Sequence, residues 1–312
     1  MHALKNKGVA IVYISHRMEE VFAHCDTITV MRDGYAISSK PTRETNMEQV
    51  VRDMVGRSIT EYYPGRTNEP GEIVLEVKNF CQEGLFNNIS FKLRKGEILG
   101  VAGLMGAGRT EIMRALFGVD SCKHGEVYLH GKKVCIKKPE DAIKAGIGFI
   151  TENRKSEGLI LDFSISRNIA LPSVDTFAKR SVINAKNETA FSEALSKKLG
   201  VKTASIDLEA GALSGGNQQK VVIAKWIGMN PSIIIMDEPT RGIDVGAKRD
   251  IYDLMNELTS QGVAIIMVSS ELPEVIGMSD RILVIHEGKI AGELDHEEAT
   301  QEKIITLATG GQ

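Results

Sequence analysis

Ile98-Leu99-Gly100-Val101-Ala102-Gly103-Leu104-Met105-Gly106-Ala107-Gly108-Arg109-Thr110-Glu111 is the stretch on which the fold turns. Its first five residues are a short apolar run of strand length, and Thr110 to Phe117 reads as a helix. Three glycines lie between, Gly103, Gly106 and Gly108, where a backbone must curl so that its N–H groups face an anion at a helix start. The pattern GxxxxGK[ST] is met except that Arg109 stands in the lysine position. Arginine still neutralises phosphate, but its planar fork fits a tight loop differently, and Glu111 adds a carboxylate that repels it. Taken alone, the stretch is also compatible with a glycine-rich turn that holds nothing.

Working outward, apolar runs of strand length recur at Ile73-Val77, Ile233-Met236, Ala264-Val268 and Ile282-Ile285, alternating with helical patterns. Val127 to Lys138 reads as a basic hairpin whose lysines, Lys132, Lys133, Lys137 and Lys138, form a solvated face, and Leu159 to Ala210 reads mostly helical. The sum predicts an α/β sheet with a helical insertion.

Ile233-Ile234-Ile235-Met236-Asp237-Glu238 is a buried-strand run ending in two carboxylates, the place where a parallel sheet meets its ligand. Asp237 suits a magnesium shell, together with the Thr110 hydroxyl, and Glu238 suits the polarisation of an attacking water. Upstream lies Leu213-Ser214-Gly215-Gly216-Asn217-Gln218-Gln219-Lys220. There a serine and two glycines at a helix start offer a hydroxyl, bare N–H groups and the positive end of the helix, a second anion site.

The chain also repeats itself without gaps at an offset of 254 residues. Gly8-Val9-Ala10-Ile11 returns as Gly262-Val263-Ala264-Ile265, and the register holds from Ser15 with Ser269 through Asp26 with Asp280 to Gly56 with Gly310. Duplication explains a constant offset over such a length; the chain therefore opens inside a first unit and closes with a second. Ser58 to Gly71, punctuated by Pro64, Gly65 and Pro70, reads as the linker.

The chain has 312 residues, 42% of them apolar and 25% charged, enough for one or two sizeable cores. A formal net charge of −3 speaks against nucleic acid as the main partner. No apolar run reaches the roughly 18 residues of a membrane span, and Met1-His2-Ala3-Leu4-Lys5 lacks the features of a signal peptide, so the cytosol is expected. Cys25, Cys81, Cys122 and Cys135 are scattered without CxxC spacing, which points to thiols rather than zinc or disulfides.

Leu213 to Gln219 resembles the signature motif of ABC-type ATPases, while Gly103 to Thr110 and Asp237-Glu238 resemble their Walker A and Walker B motifs. Asp237 to Lys248, Gly103 to Glu111 and Thr151 to Leu159 are similar to the second cassette of ATP-binding subunits of bacterial ribose, galactose and xylose importers, with Ala299-Thr300-Gln301-Glu302 nearest the ribose type. The resemblance implies an ABC cassette of a P-loop core sheet, a β arm and a helical subdomain. Residues 1–57 would be the tail of a first cassette, 58–72 a linker and 73–312 a second, complete cassette.

The resemblance further implies ATP and Mg2+ as ligands, with Gly103, Gly106, Gly108, Arg109 and Thr110 on the nucleotide and Thr110 and Asp237 on the metal. Glu238, Asp237 and Glu152 would be catalytic, Glu152 standing where many cassettes have the Q-loop glutamine and serving metal or water contact or coupling to the membrane subunit, or else being merely a surface charge. Ser214, Gly215, Gly216 and Gln218 would form the signature and Asp244 the D-loop. His16 occupies the switch-histidine place of a first cassette, where the second has Ser270. Phe80 is either an adenine platform or core packing.

Implied partners are integral-membrane permease subunits, a periplasmic sugar-binding protein indirectly, and another cassette for a head-to-tail ATP sandwich at the cytoplasmic face of the cell membrane. Arg109 and Ser270 replace the lysine and histidine of competent sites, which implies a site that binds nucleotide and turns it over poorly. The rival class, a tandem-cassette protein acting on ribosomes or DNA, calls for a long charged linker and a basic surface that this sequence lacks.

Overall fold

In a computed structural model the chain is described except at residues 16–17, 33, 56–62, 66–67, 180–181 and 312. The expected switch residue His16 and much of the expected linker therefore lie outside the described residues. Two compact units are present: residues 1–65 with 243–250, and residues 66–242 with 251–312. The grouping of 243–250 with the first unit departs from the division expected from the sequence.

The second unit is built on a six-stranded sheet in the spatial order Lys289–Asp295, Arg281–His286, Ile98–Gly103, Ala264–Val268, Ile233–Asp237, Ile147–Ile150. All neighbours are parallel except the first pair, an antiparallel edge. Parallel strands covered on both faces must be apolar throughout. Accordingly Ile233, Ile234 and Ile235, and Ala264 through Val268, are fully buried.

A separate four-stranded antiparallel sheet, Phe86–Arg94, Ile73–Gln82, His124–Leu129 and Lys132–Val134, forms the β arm. The expected basic hairpin is its outer pair, and all four lysines are exposed, with Lys133 paired to Glu126. Phe80 is buried and stacked on Phe86 at 5.6 Å, so of the two readings it takes core packing. The four cysteines are free thiols.

The helical insertion contains Ile165–Ala170, Val174–Phe177, Ala185–Lys198 and Gly215–Ile227, interrupted by a short ribbon in which Ala178–Lys179 pairs with Val182–Ile183. Its last helix, called the signature helix after the motif expected at its start, buries Val221 through Ala224. Trp226, near its end, packs edge-on against Phe117, with ring centroids 5.5 Å apart. Phe117 is the last residue of the helix Arg109–Phe117, which opens at the glycine-rich loop.

The first unit repeats the end of the second element by element. Met18–His24 corresponds to Leu272–Met278, Thr27–Arg32 to Arg281–His286, and Tyr35–Pro41 to Lys289–Asp295, each displaced by the same 254 residues. Even the register shift is reproduced, between Val30 and Met31 in one ribbon and Val284 and Ile285 in the other. Environment differs, most at the residues ahead of the first helix, and also at Met31, 65% exposed where its counterpart Ile285 is 2% exposed. Val12 and Ile14 are 91% and 93% exposed, whereas their counterparts at the offset, Ile266 and Val268, are fully buried strand residues.

Candidate nucleotide site

The loop after Ile98–Gly103 follows from its glycines. Gly103, Gly106 and Gly108 have φ of 153°, 79° and 97°, in the region L side chains avoid. At Gly103 a Cβ would lie 2.4 Å from the Ile285 carbonyl, so the neighbouring strand also demands glycine. The helix that follows has Gly108 as its N-cap and no side-chain cap, which leaves its first-turn N–H groups uncovered and its positive end bare.

At the tip of the strand Ile233–Asp237, Asp237 is 1% exposed, and neither carboxylate oxygen has a hydrogen-bond partner. Burial pushes its pKa up to about 6; the Thr110 hydroxyl facing it and the Arg109 guanidinium hold it lower, while Glu111 and Glu157 push it higher. An orphaned buried carboxylate opposite a hydroxyl is an oxygen-donor pair waiting for a cation. Among the described residues no cluster of three His, Cys, Asp or Glu could hold a metal alone, so a magnesium ion here would take further ligands from water and phosphate. The pair fits that ion.

Glu238 follows with φ of 49°, a left-handed conformation rarely held without a structural or functional reason. Burial pushes its carboxyl to about 7, with Arg109 and a bond from Ser270 opposing, and Asp237 and Glu274 adding to the rise. The Ser270 Oγ donates to Glu238 Oε2 at 3.1 Å, and Arg109 Nη1 donates to the Ser269 carbonyl at 2.8 Å. The structure thus brings Gly103, Gly106, Gly108, Arg109, Thr110, Asp237, Glu238 and Ser270 to one place. A buried network, invisible in the sequence, fixes the loop that carries Ser270. Glu274 accepts from Thr240 at 2.7 Å and from Ser269, all three side chains being buried.

The remaining expected residues are placed otherwise. Glu152 is half-exposed and paired with Arg241. Ser214 is exposed at the N-cap of the signature helix without capping it; its Oγ accepts from Asn217 Nδ2 at 3.0 Å. Gly215 and Gly216 form the open first turn. Gln218, expected as part of the signature, is 3% exposed and turned inward: its Nε2 donates to the Ala210 carbonyl at 3.3 Å. Asp244 belongs to the first compact unit, where its Oδ1 accepts from the Ala247 N–H at 3.0 Å and caps the helix Val245–Ser260.

Two cations were missed from the sequence. Arg154, on a single π-helical turn Arg154–Gly158, reaches the Arg241 and Gly242 carbonyls. Lys225 is buried and donates to the Gly158 carbonyl at 3.0 Å, and burial lowers its pKa to about 8. Arg154 stood in a quoted stretch, but no spacing signalled its partners.

Residues 86–241 match a family model described as ABC transporter. A relative from Bacillus licheniformis, the ribose import ATP-binding protein RbsA, is 61% identical over 312 residues, covering 100% of this chain and 63% of its own length. The chain thus spans under two thirds of that protein. A solved ATP-binding cassette of an ABC transporter superposes with a TM-score of 0.64 at 23% identity, covering 75% of this chain and 98% of that one. A second, a dimeric ATP-binding cassette in a post-hydrolysis state bound to ADP and Pi, gives 0.61 at 22% identity over 71% of this chain and 98% of its own.

Proposed function

The chain belongs to the ABC transporter family, and on that premise we propose that it is the ATP-binding, ATP-hydrolysing part of a subunit that energises sugar import, ribose being the sugar in the similar protein's name. The observation that carries the reading is the orphaned Asp237 carboxylate facing Thr110 beside the uncapped glycine-rich loop. Loop N–H groups of Gly103 to Thr110 hold the phosphates, and Arg109 supplies the charge that lysine would give. Thr110 and Asp237 would hold Mg2+, which when bound neutralises phosphate charge. Glu238 takes the proton of the attacking water and is oriented by Ser270.

This site is the weaker of two. Ser270 carries no cationic charge for a γ-phosphate, and Arg109 is engaged by the Ser269 carbonyl. Ser214, Gly215 and Gly216 serve a nucleotide held by another cassette, in a head-to-tail sandwich. Residues 1–57 are read as the tail of that kind of cassette, His16 being its switch residue. The element-for-element repeat supports this, as do the apolar Val12 and Ile14 standing where the second copy has a sheet strand.

No helix among the described residues is long and apolar enough to cross a membrane. The proposed place is the cytoplasmic face of the cell membrane, on permease subunits fed by a periplasmic sugar-binding protein, with Glu152 near the coupling surface. The test is MgATP binding and turnover by this chain, alone and mixed with a full-length relative. Binding with very slow turnover alone is expected. Failure to bind MgATP sinks the nucleotide reading, and turnover alone matching the full-length relative sinks the unequal pair.

A further inference from the structure

Arg154 lies outside the nucleotide site, yet three of its nitrogens are used. Nη1 donates to the Arg241 carbonyl at 2.8 Å, Nη2 to the Gly242 carbonyl at 3.3 Å, and Nε to Gln218 Oε1 at 3.4 Å. The first two acceptors lie on the loop that follows Asp237-Glu238; the third is on the first turns of the signature helix. The same guanidinium lies against Gly215, where a Cβ would come within 2.6 Å of Nη2. A side chain at Gly215 would therefore push the clasp aside.

The base of the clasp is itself fixed. Asn153 Oδ1 accepts from the Lys155 and Ser156 N–H groups at 3.2 and 3.4 Å, which holds the start of the π turn. Glu157 is held by Arg114 of the phosphate-loop helix at 3.2 Å, and the Gly158 carbonyl by Lys225 at 3.0 Å. A side chain anchored at both ends of its turn transmits position rather than flexing. Only a planar fork can satisfy two carbonyls and an amide oxygen lying in different directions, and a lysine ammonium reaches one of them at a time.

We propose that Arg154 is a positioning residue for the signature: it locks the first turn of the helix Gly215–Ile227 to the loop at Arg241–Gly242, so that Ser214, Gly215 and Gly216 are presented to a nucleotide in one fixed geometry. The inference rests on the reading that this turn serves the nucleotide of another cassette. Gln218 is the intermediary, since its amide ties the clasp to Ala210 while its own N–H closes the helix on the Ser214 carbonyl at 2.9 Å.

The test uses a two-cassette subunit, made by placing this chain behind the amino-terminal portion of the Bacillus licheniformis relative. Arg154→Met, Arg154→Lys and Gln218→Met are compared for ATP turnover, with Ser214→Arg as the control. Misplacement by an ångström costs up to about 100-fold, so Arg154→Met should lower kcat about 10- to 100-fold. KM should stay within about twofold, because the nucleotide is held elsewhere. Arg154→Lys should recover part of the rate. Thermal unfolding followed by circular dichroism should leave the midpoint near wild type in each variant. Unchanged kcat in both Arg154→Met and Gln218→Met overturns the clasp while Ser214→Arg still abolishes turnover. If Ser214→Arg is itself harmless, the signature reading fails instead. Should Arg154→Met not fold, Gln218→Met decides alone.

Discussion

Asp237→Asn should stabilise the chain in the absence of metal and nucleotide, and only at neutral or alkaline pH. Burial raises the Asp237 pKa from 3.8 to about 6, so the folded state holds its proton more tightly than the unfolded chain. Below the unfolded value both states are protonated and nothing is lost. Between about pH 4 and 6 the unfolded chain releases its proton first, and stability falls as pH rises. Above pH 6 the whole penalty is present: roughly two pK units at about 1.4 kcal/mol each, or about 3 kcal/mol.

An asparagine at this position cannot ionise and escapes that penalty. An amide left without partners there costs about 1–3 kcal/mol, and that cost does not vary with pH. The quantity to measure is therefore the difference in unfolding temperature between variant and wild type at pH 8, minus the same difference at pH 4. At about 2–4 °C per kcal/mol for a domain of this size, it should come to about 6–12 °C in favour of the variant. Differential scanning calorimetry without Mg2+ or ATP gives it directly. A difference that stays constant across this range, or moves the other way, would show that Asp237 is ionised without strain and that the case for a cation there is misplaced.

Glu238→Gln should abolish the residual turnover and keep or tighten nucleotide binding, measured with a fluorescent ATP analogue, since the amide preserves shape but cannot take a proton. Because the Glu238 carboxyl titrates at about 7 and must be ionised to act, wild-type turnover should climb as pH rises through 7 and level off above it. In the two-cassette subunit, Ser214→Arg should remove most ATPase activity and sugar uptake, whereas Arg109→Ala, confined to the weaker site, should cost far less; equal damage from the two would end the proposed division between the sites.

The central sheet was readable because buried parallel strands leave uninterrupted apolar runs, and the glycine loop because its φ angles admit little else. Ile147–Ile150 left no such trace: four residues with a glycine show no period, and it is a strand through its pairing with Ile233–Met236. Phe86–Arg94 merges with Ile73–Gln82 across a turn of only three residues. The positions proposed to carry function divide the same way. Asp237, Glu238 and Thr110 announced themselves by sitting next to a strand end or a glycine loop. Arg154 with Gln218, and Glu274 with Thr240, meet over separations of 64 and 34 residues through single side-chain bonds, which no local pattern records. The inward turn of Gln218 left no sign in the sequence for the same reason.

The chain has one tryptophan, and the fold has put it where the phosphate-loop helix and the signature helix touch. Trp226 is 7% exposed, edge-on to Phe117, with the Lys225 ammonium 5.4 Å from its ring centroid. Excited beyond the absorption of the six tyrosines, its emission is therefore a built-in optical gauge of that one junction, needing no dye. Events at the glycine loop and events at the signature can be timed against the same signal, in the same cuvette, in unlabelled protein.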